Sequence, residues 1–116
     1  MRLSDRQKQH ARNIAKLVLW LFEKGYEATY GDAYRDPRSH GKYGEAGPYG
    51  ARYSNHKLRC ANDLNLFKDR VYLQETDDYR EVGEKWESLS PYNRWGGRYN
   101  DGNHFETLDT HRVDAQ

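Results

Sequence analysis

The order of apolar and polar residues predicts an amphipathic helix at the start of the chain. From Ser4 to Lys24, apolar side chains recur at helical spacing, at Ala11, Ile14, Leu17, Val18 and Leu21. Ser4 and Gln7 predict a capping box at the start of this helix. Gly25 predicts its end, because glycine readily adopts the left-handed conformation that often follows a helix. A short extended stretch is expected from residue 26 to residue 34.

A strand with two different faces is predicted where the period changes to two, in "CANDLNLF". Leu64 and Leu66 share one side of this strand, and Asp63 and Asn65 share the other. The next residues, "FKDRVYL", predict a tight hairpin turn at residues 69–70 and a second short strand after it. One face of the sheet is therefore expected to be polar.

A second helix is expected to start at Thr76, an N-cap residue, and to stop before Pro91. Its apolar stripe consists of Tyr79, Val82, Trp86 and Leu89. After turns in "RWGGRYNDGN", the segment "HFETL" predicts a final strand, and the polar tail at 109–116 is expected to fray. Together these elements predict an α+β fold in which a small antiparallel sheet packs with two or three helices.

A segment from Asp36 to Arg52, "DPRSHGKYGEAGPYGAR", shows no helical or strand period and is rich in glycine and proline. It predicts a long surface loop. Loops of this length in small domains often act as lids or binding segments. A disordered insert is the alternative interpretation.

Composition limits the classes of function. At 116 residues the chain fits one domain, and 19 basic against 18 acidic residues give a net charge of +1. This balance offers no basic surface for nucleic acid, so we expect no nucleic-acid partner. We also expect a monomer. The lone Cys60 excludes an internal disulfide and a cysteine-based zinc site, as is usual for proteins that fold in a reducing cytosol.

The beginning of the sequence, "MRLSDRQKQH", is charged and polar where a secretory signal would be apolar, so no signal peptide is expected. The longest apolar run, residues 17–22, is far shorter than the roughly 20 residues of a membrane-spanning helix. No membrane insertion is expected.

Two distant segments carry residues suited to a metal site. Hydrolytic zinc centres use three protein ligands, commonly histidine nitrogens and a carboxylate oxygen, and leave a fourth position open. His56, Asp63 and His104 supply such a set for one zinc ion. Asp101, three residues before His104, is the candidate general base. Because "DGN" is a turn sequence, this pair is expected at a turn that enters a strand, with Glu106 on the same face as His104.

The segments "SNHKLRCANDLNLF" and "GEKWESLSPYNRWGGRYNDGNHFE" resemble the zinc-dependent peptidoglycan peptidases. That family includes D-Ala-D-Ala carboxypeptidases, the VanX and VanY enzymes and the L-alanyl-D-glutamate endopeptidases of phage endolysins. The resemblance covers residues 33–108 and implies a Hedgehog/DD-peptidase-like fold. It also implies that bacterial peptidoglycan is the partner, and that the protein is made in the host cytoplasm and acts on the cell wall after release.

The resemblance assigns roles residue by residue. The Ser-x-His element, Ser54 and His56, supplies the first ligand, and an upstream arginine, matched by Arg35, stabilises the oxyanion. Two departures are visible: many members have glycine where this chain has Arg59, and aspartate rather than glutamate is the base. The aspartate resembles the endolysin branch and favours an endopeptidase.

Other residues near these motifs have open roles. Glu106 is either an orienting partner of a ligand histidine or an ordinary solvated residue, and Trp95 either packs in the core or lines the cleft. His10, His40 and His111 are interpreted as structural or solvent-facing, with His10 on the exposed side of its helix. A D-Ala-D-Ala carboxypeptidase and a non-catalytic, zinc-stabilised wall-binding or virion module remain the alternative functions.

Overall fold

The computed structural model describes residues 1–31, 43–44 and 54–113. Two α-helices and five strands lie in these ranges: α1 Leu3–Glu23, β1 Tyr26–Tyr30, β2 Ala61–Lys68, β3 Val71–Tyr72, α2 Arg80–Ser88, β4 Asn93–Trp95 and β5 His104–Thr107. Three short 3-10 helices accompany them: Asn55–Leu58, Thr76–Tyr79 and Gly96–Tyr99. The α+β prediction is confirmed.

The strands form an antiparallel sheet in the order β1-β2-β5-β4, and β3 pairs with the far end of β2. The turn between β2 and β3 is the predicted hairpin. Asp69 and Arg70 both have positive φ, at 51° and 66°, as a two-residue hairpin turn with the sheet's twist requires. In the order β1-β2-β5-β4, the β2–β5 pair lies at the centre of the sheet.

The core lies between one face of this sheet and the two helices. Leu64 and Leu66 of β2 and Phe105 of β5 are buried there, as the alternating pattern predicts. The helices contribute buried residues from both of their apolar stripes: Ile14, Leu17 and Leu21 from α1, and Val82 and Trp86 from α2. The opposite face of the sheet is left for polar side chains.

Of the two predicted ends of α1, the C-terminal end is confirmed and the N-terminal capping box is wrong. The helix begins after Arg2, which makes no side-chain cap, so the capping box at Ser4 is wrong: Ser4 already lies in the first helical turn. Gly25 has φ +90° and follows the helix as predicted. His10 is a further correction, because it is buried rather than exposed.

The second helical segment starts one residue earlier than predicted. Glu75, not Thr76, is the N-cap, and it forms a capping box with Asp78. The chain then continues from the 3-10 helix into α2. Strand β4 was missed, because its three residues are too few to show an alternating pattern.

The polar tail is held to the domain as far as it is described. The backbone N–H of Arg112 donates to the carbonyl of Pro91, and its guanidinium donates to the carbonyls of Glu87, Ser90 and Asn93. The prediction that the tail frays is therefore wrong up to residue 113. Within the described ranges, no helix has the length and apolar character needed to span a membrane.

Candidate metal centre

The three predicted ligands come from two neighbouring strands and one short helix. Asp63 of β2 lies directly opposite His104 of β5 in the sheet register, and side chains opposite each other project from the same face. The 3-10 helix Asn55–Leu58, just before β2, brings His56 over that face. The two distant stretches of sequence therefore converge on the polar side of the sheet.

The donor atoms of these residues form a nearly equilateral triangle. His56 Nε2 lies 3.1 Å from His104 Nδ1 and 3.1 Å from Asp63 Oδ1, and His104 Nδ1 lies 3.2 Å from Asp63 Oδ1. Ligands bonded to zinc at about 2.0–2.1 Å in a tetrahedron stand about 3.3 Å apart. Two imidazole nitrogens and one carboxylate oxygen are also donors that zinc prefers. The residues present therefore fit a zinc ion.

The site is largely buried, and its charges are coupled. The His56 side chain is 1% exposed, that of His104 10% and that of Asp63 16%. Burial raises the pKa of Asp63, but the hydrogen bonds from His104 and His56 outweigh it and bring the pKa to about 2. Burial lowers the pKa of His104, but the contacts with Asp63 and Glu106 outweigh it and raise the pKa to about 9. A metal ion bound to Nδ1 of His104 would therefore displace a proton from this ring.

Glu106 lies on the same face as His104, two residues further along β5. Its Oε1 is 3.4 Å from His104 Nε2, the ring nitrogen that points away from the triangle. Its Oε2 accepts hydrogen bonds from Arg94 Nε and from the Tyr99 hydroxyl, both at 2.7 Å. A carboxylate in this position fixes the tautomer and the ring orientation of a ligand histidine. Of the two interpretations of Glu106, the orienting one agrees with these contacts.

Arg94 and Tyr99 were missed in the sequence. Arg94 lies on β4 opposite Glu106 in the register, so the unrecognised strand concealed it. Tyr99 ends the 3-10 helix Gly96–Tyr99, within a segment that was interpreted only as turns.

Asp101 occupies the turn that enters β5, as expected. Its backbone N–H donates to the carbonyl of Gly96, and its carbonyl accepts from the N–H of His104. Its side chain is exposed, and it borders a cavity of about 200 Å³ together with Tyr72 and Thr76. The turn therefore holds a solvent-accessible carboxylate close in sequence to a buried ligand.

Gly96 permits this turn to pack closely. A Cβ at this position would stand 2.2 Å from the Asp101 carbonyl oxygen and 2.9 Å from the Cβ of His104. No side chain fits there without moving the turn. The first glycine of "GG" in the sequence is therefore a steric requirement of this turn.

Trp95 lies on the helix side of the sheet, away from the three ligands. It is buried against Gly83 and Gly97, and its place in the β4–β5 register turns it into the core. Of the two interpretations of Trp95, packing in the core agrees with these contacts. Its Nε1–H donates to the carbonyl of Gly102 at 2.6 Å. Trp95 thus supports the Asp101–His104 turn from beneath.

Ser54 precedes the 3-10 helix that carries the first ligand. Its hydroxyl accepts a hydrogen bond from the backbone N–H of His56 at 3.3 Å and caps this helix. Ser54 therefore contributes to the backbone position of His56.

Residues 49–107 match the family model described as D-alanyl-D-alanine carboxypeptidase. This segment is a little over half of the chain and contains all three candidate ligands as well as Asp101. The chain belongs to this peptidase family. No curated protein matches the chain.

In this member of the D-alanyl-D-alanine carboxypeptidase family, the match includes the whole β2–β5 centre and leaves out α1 and β1. Arg35 lies before the matched segment and outside the described residues, so its role stays a prediction from the resemblance. His40 also lies outside the described residues, as does the predicted 36–52 loop except for residues 43–44.

The departure at Arg59 has a structural counterpart. Arg59 follows the 3-10 helix of His56 and has φ +59°. This left-handed conformation is the one that glycine adopts without strain. At this position the chain therefore adopts a conformation that favours glycine and accepts the steric cost of a Cβ there.

Proposed function

We propose that this protein is a zinc-dependent peptidase that hydrolyses a peptide bond in the stem of bacterial peptidoglycan. The observation that carries this proposal is the triangle of His56 Nε2, Asp63 Oδ1 and His104 Nδ1, with edges of 3.1–3.2 Å, inside the segment that matches a peptidase family. A zinc ion held there supplies a Lewis acid and acidifies a bound water to a pKa of about 7.

The proton chemistry is assigned to Asp101. In this proposal its carboxylate accepts the proton of the attacking water and returns it to the leaving amine. Exposure of the side chain suits a group that must meet both water and substrate. Arg35 is proposed to stabilise the oxyanion, because its charge is permanent and its donors lie in one plane.

Glu106 is the competing carboxylate, and its surroundings argue against a role as base. Burial raises its pKa, but the contacts with His104, Arg94 and Tyr99 outweigh this and hold the pKa well below its usual range. Both of its oxygens are occupied by hydrogen-bond donors. The exposed side chain of Asp101 is accessible to both water and substrate, so Asp101 is the better candidate.

For the bond that is cut, we propose the one between L-alanine and D-glutamate, as in phage endolysins. The aspartate at the base position supports this choice, because it resembles the endolysin branch. In that role the protein is made in the host cytoplasm and meets the wall at lysis. Cleavage of terminal D-Ala-D-Ala is the second candidate, favoured by the description of the matching family.

Digestion of purified sacculi, followed by mass spectrometry of the products, separates these candidates. An endopeptidase produces stem peptides that begin with D-glutamate, whereas a carboxypeptidase releases only free D-alanine. We expect Asp101→Asn to lower the rate at least ~100-fold while zinc stays bound. Asp109→Asn, the same change at an exposed carboxylate after β5, should digest at the wild-type rate. Wild-type digestion by Asp101→Asn would contradict the role of this residue.

A chelator tests whether the metal serves catalysis or only stability. Loss of digestion with an unchanged circular dichroism spectrum is the expected result. Unfolding on zinc removal, with no digestion by the zinc-loaded protein, would instead indicate a non-catalytic, zinc-stabilised module.

A further inference from the structure

The N-terminal turns of α1 contact the segment that carries the first ligand. Arg6 is 7% exposed. Its Nε donates to the carbonyl of Thr107 at 2.7 Å, and its Nη2 donates to Asn55 Oδ1 at 2.6 Å. Because the donors of a guanidinium are fixed in one plane, both bonds form at once. One side chain thus joins the end of β5 to the residue immediately before His56.

Asn55 continues this connection toward the second histidine. Its Nδ2 donates to Glu106 Oε1 at 2.6 Å, and the same oxygen lies 3.4 Å from His104 Nε2. The amide of Asn55 therefore accepts from Arg6 on one side and donates to Glu106 on the other. Its orientation is set by both neighbours.

We propose that Arg6, Asn55 and Glu106 form a positioning chain that holds His56 and His104 in register for one metal ion. The proposal rests on the zinc site of the proposed function. It extends the metal centre beyond the matched segment 49–107, because Arg6 lies on α1.

The cost of burying Arg6 supports a positioning role. Within the described residues, the acceptors of its two hydrogen bonds are a neutral carbonyl and a neutral amide, and no carboxylate forms an ion pair with it. A buried charge without a counter-ion lowers stability. An apolar side chain would fill this space at lower cost, whereas only a two-pronged donor joins β5 to Asn55.

The positioning chain also explains why two candidate ligands from distant segments stay close together. His56 lies on a short 3-10 helix, which has little rigidity of its own. Without the link from Asn55 to Glu106, this helix and β5 would lose a part-buried hydrogen bond between the residue before His56 and the carboxylate beside His104. Loss of such outer contacts typically weakens metal binding about 10–100-fold.

The positioning chain is tested by the zinc affinity of the purified protein. Competition with a chromophoric chelator measures this affinity. We expect Asn55→Ala to weaken zinc binding about 10–100-fold. Arg6→Lys keeps the charge but cannot hold both acceptors, so it should weaken binding by a smaller factor. The double variant with Arg6→Lys and Asn55→Ala should bind zinc no more weakly than Asn55→Ala alone, because Arg6 acts through Asn55.

Gln7→Ala is the matched control. Gln7 lies beside Arg6 on α1 and donates to the carbonyl of Leu58 at the end of the same 3-10 helix, but it does not contact Asn55 or Glu106. Gln7→Ala therefore removes a hydrogen bond to the same 3-10 helix that is not part of the positioning chain. We expect its zinc affinity to stay within about twofold of wild type. The visible spectrum of bound Co²⁺ should change in Asn55→Ala and not in Gln7→Ala.

The outcomes separate this inference from the proposed function. If wild type binds one zinc and Asn55→Ala binds it equally well, the positioning chain is wrong and the zinc site stands. Equal losses in Gln7→Ala and Asn55→Ala would also overturn it, since they would show general loosening of α1. If wild type itself binds no zinc, the proposed function fails first.

Discussion

The two halves of α1 bury chemically different faces. The C-terminal half buries apolar side chains against the core: Ile14, Leu17 and Leu21. The N-terminal half buries polar ones: Arg6, His10 and Asn13. The difference follows from what each half contacts, because the N-terminal half meets the 3-10 helix of His56 and the end of β5. One helix thus supports the core with one half and the candidate metal centre with the other.

Truncating the apolar half should have the largest effect on stability. Leu17 is fully buried, so Leu17→Ala is expected to lower the free energy of unfolding by about 2–5 kcal/mol. Zinc affinity of the folded protein should stay unchanged. Urea unfolding and chelator competition at low temperature measure the two quantities. A loss of zinc affinity as large as that of Asn55→Ala would contradict the division between the two halves.

The polar half should make stability depend on pH through His10. Its Nδ1 lies 2.8 Å from Thr107 Oγ1 and its Nε2 lies 2.7 Å from Asn62 Oδ1. Burial lowers its pKa to about 4. Since an unfolded histidine titrates near 6.5, the unfolded state takes up the proton first as the pH falls. Stability should therefore fall between about pH 6.5 and pH 4, by about 3 kcal/mol in total.

His10→Gln removes this titration and keeps a polar side chain. In the absence of zinc, the free energy of unfolding of this variant should fall less than that of wild type over the same pH range. Urea unfolding measures both. Parallel pH profiles for the two proteins would show that His10 is not the group responsible.

The smallest expected effect lies where the polar half of α1 borders the turn after His56. Arg59 has φ +59° there, so Arg59→Gly should be more stable than Arg59→Ala by about 1 kcal/mol. Comparing glycine with alanine cancels the contacts of the arginine side chain. Thermal unfolding of the two variants measures the difference. Equal stability would mean that the backbone relaxes out of the left-handed conformation.

The same division decides what could be predicted from the sequence. Where burial is apolar, the pattern was sufficient: the alternation around Leu64 and Leu66 and the stripe of α2 are confirmed. Where burial is polar, hydropathy pointed the wrong way, and His10 was placed on the surface. A buried histidine looks like an exposed one in sequence, because its partners, Thr107 and Asn62, lie far along the chain.

The candidate ligands were predictable for a different reason. Their residue types and the resemblance group His56, Asp63 and His104 as one site, and the register of β2 and β5 places the last two opposite each other. The surroundings were not predictable. Arg94 lies on a three-residue strand, which is too short to show a pattern. Arg6 lies on a helix whose buried face was predicted from its apolar residues alone, so a buried arginine was not expected.

The most direct test of the metal centre is anomalous X-ray diffraction at the zinc edge from crystals of the zinc-loaded protein. We predict one peak per chain, bonded at about 2.0–2.2 Å to His56 Nε2, His104 Nδ1 and an oxygen of Asp63. A zinc peak at other residues, or none in protein that still digests peptidoglycan, would contradict it.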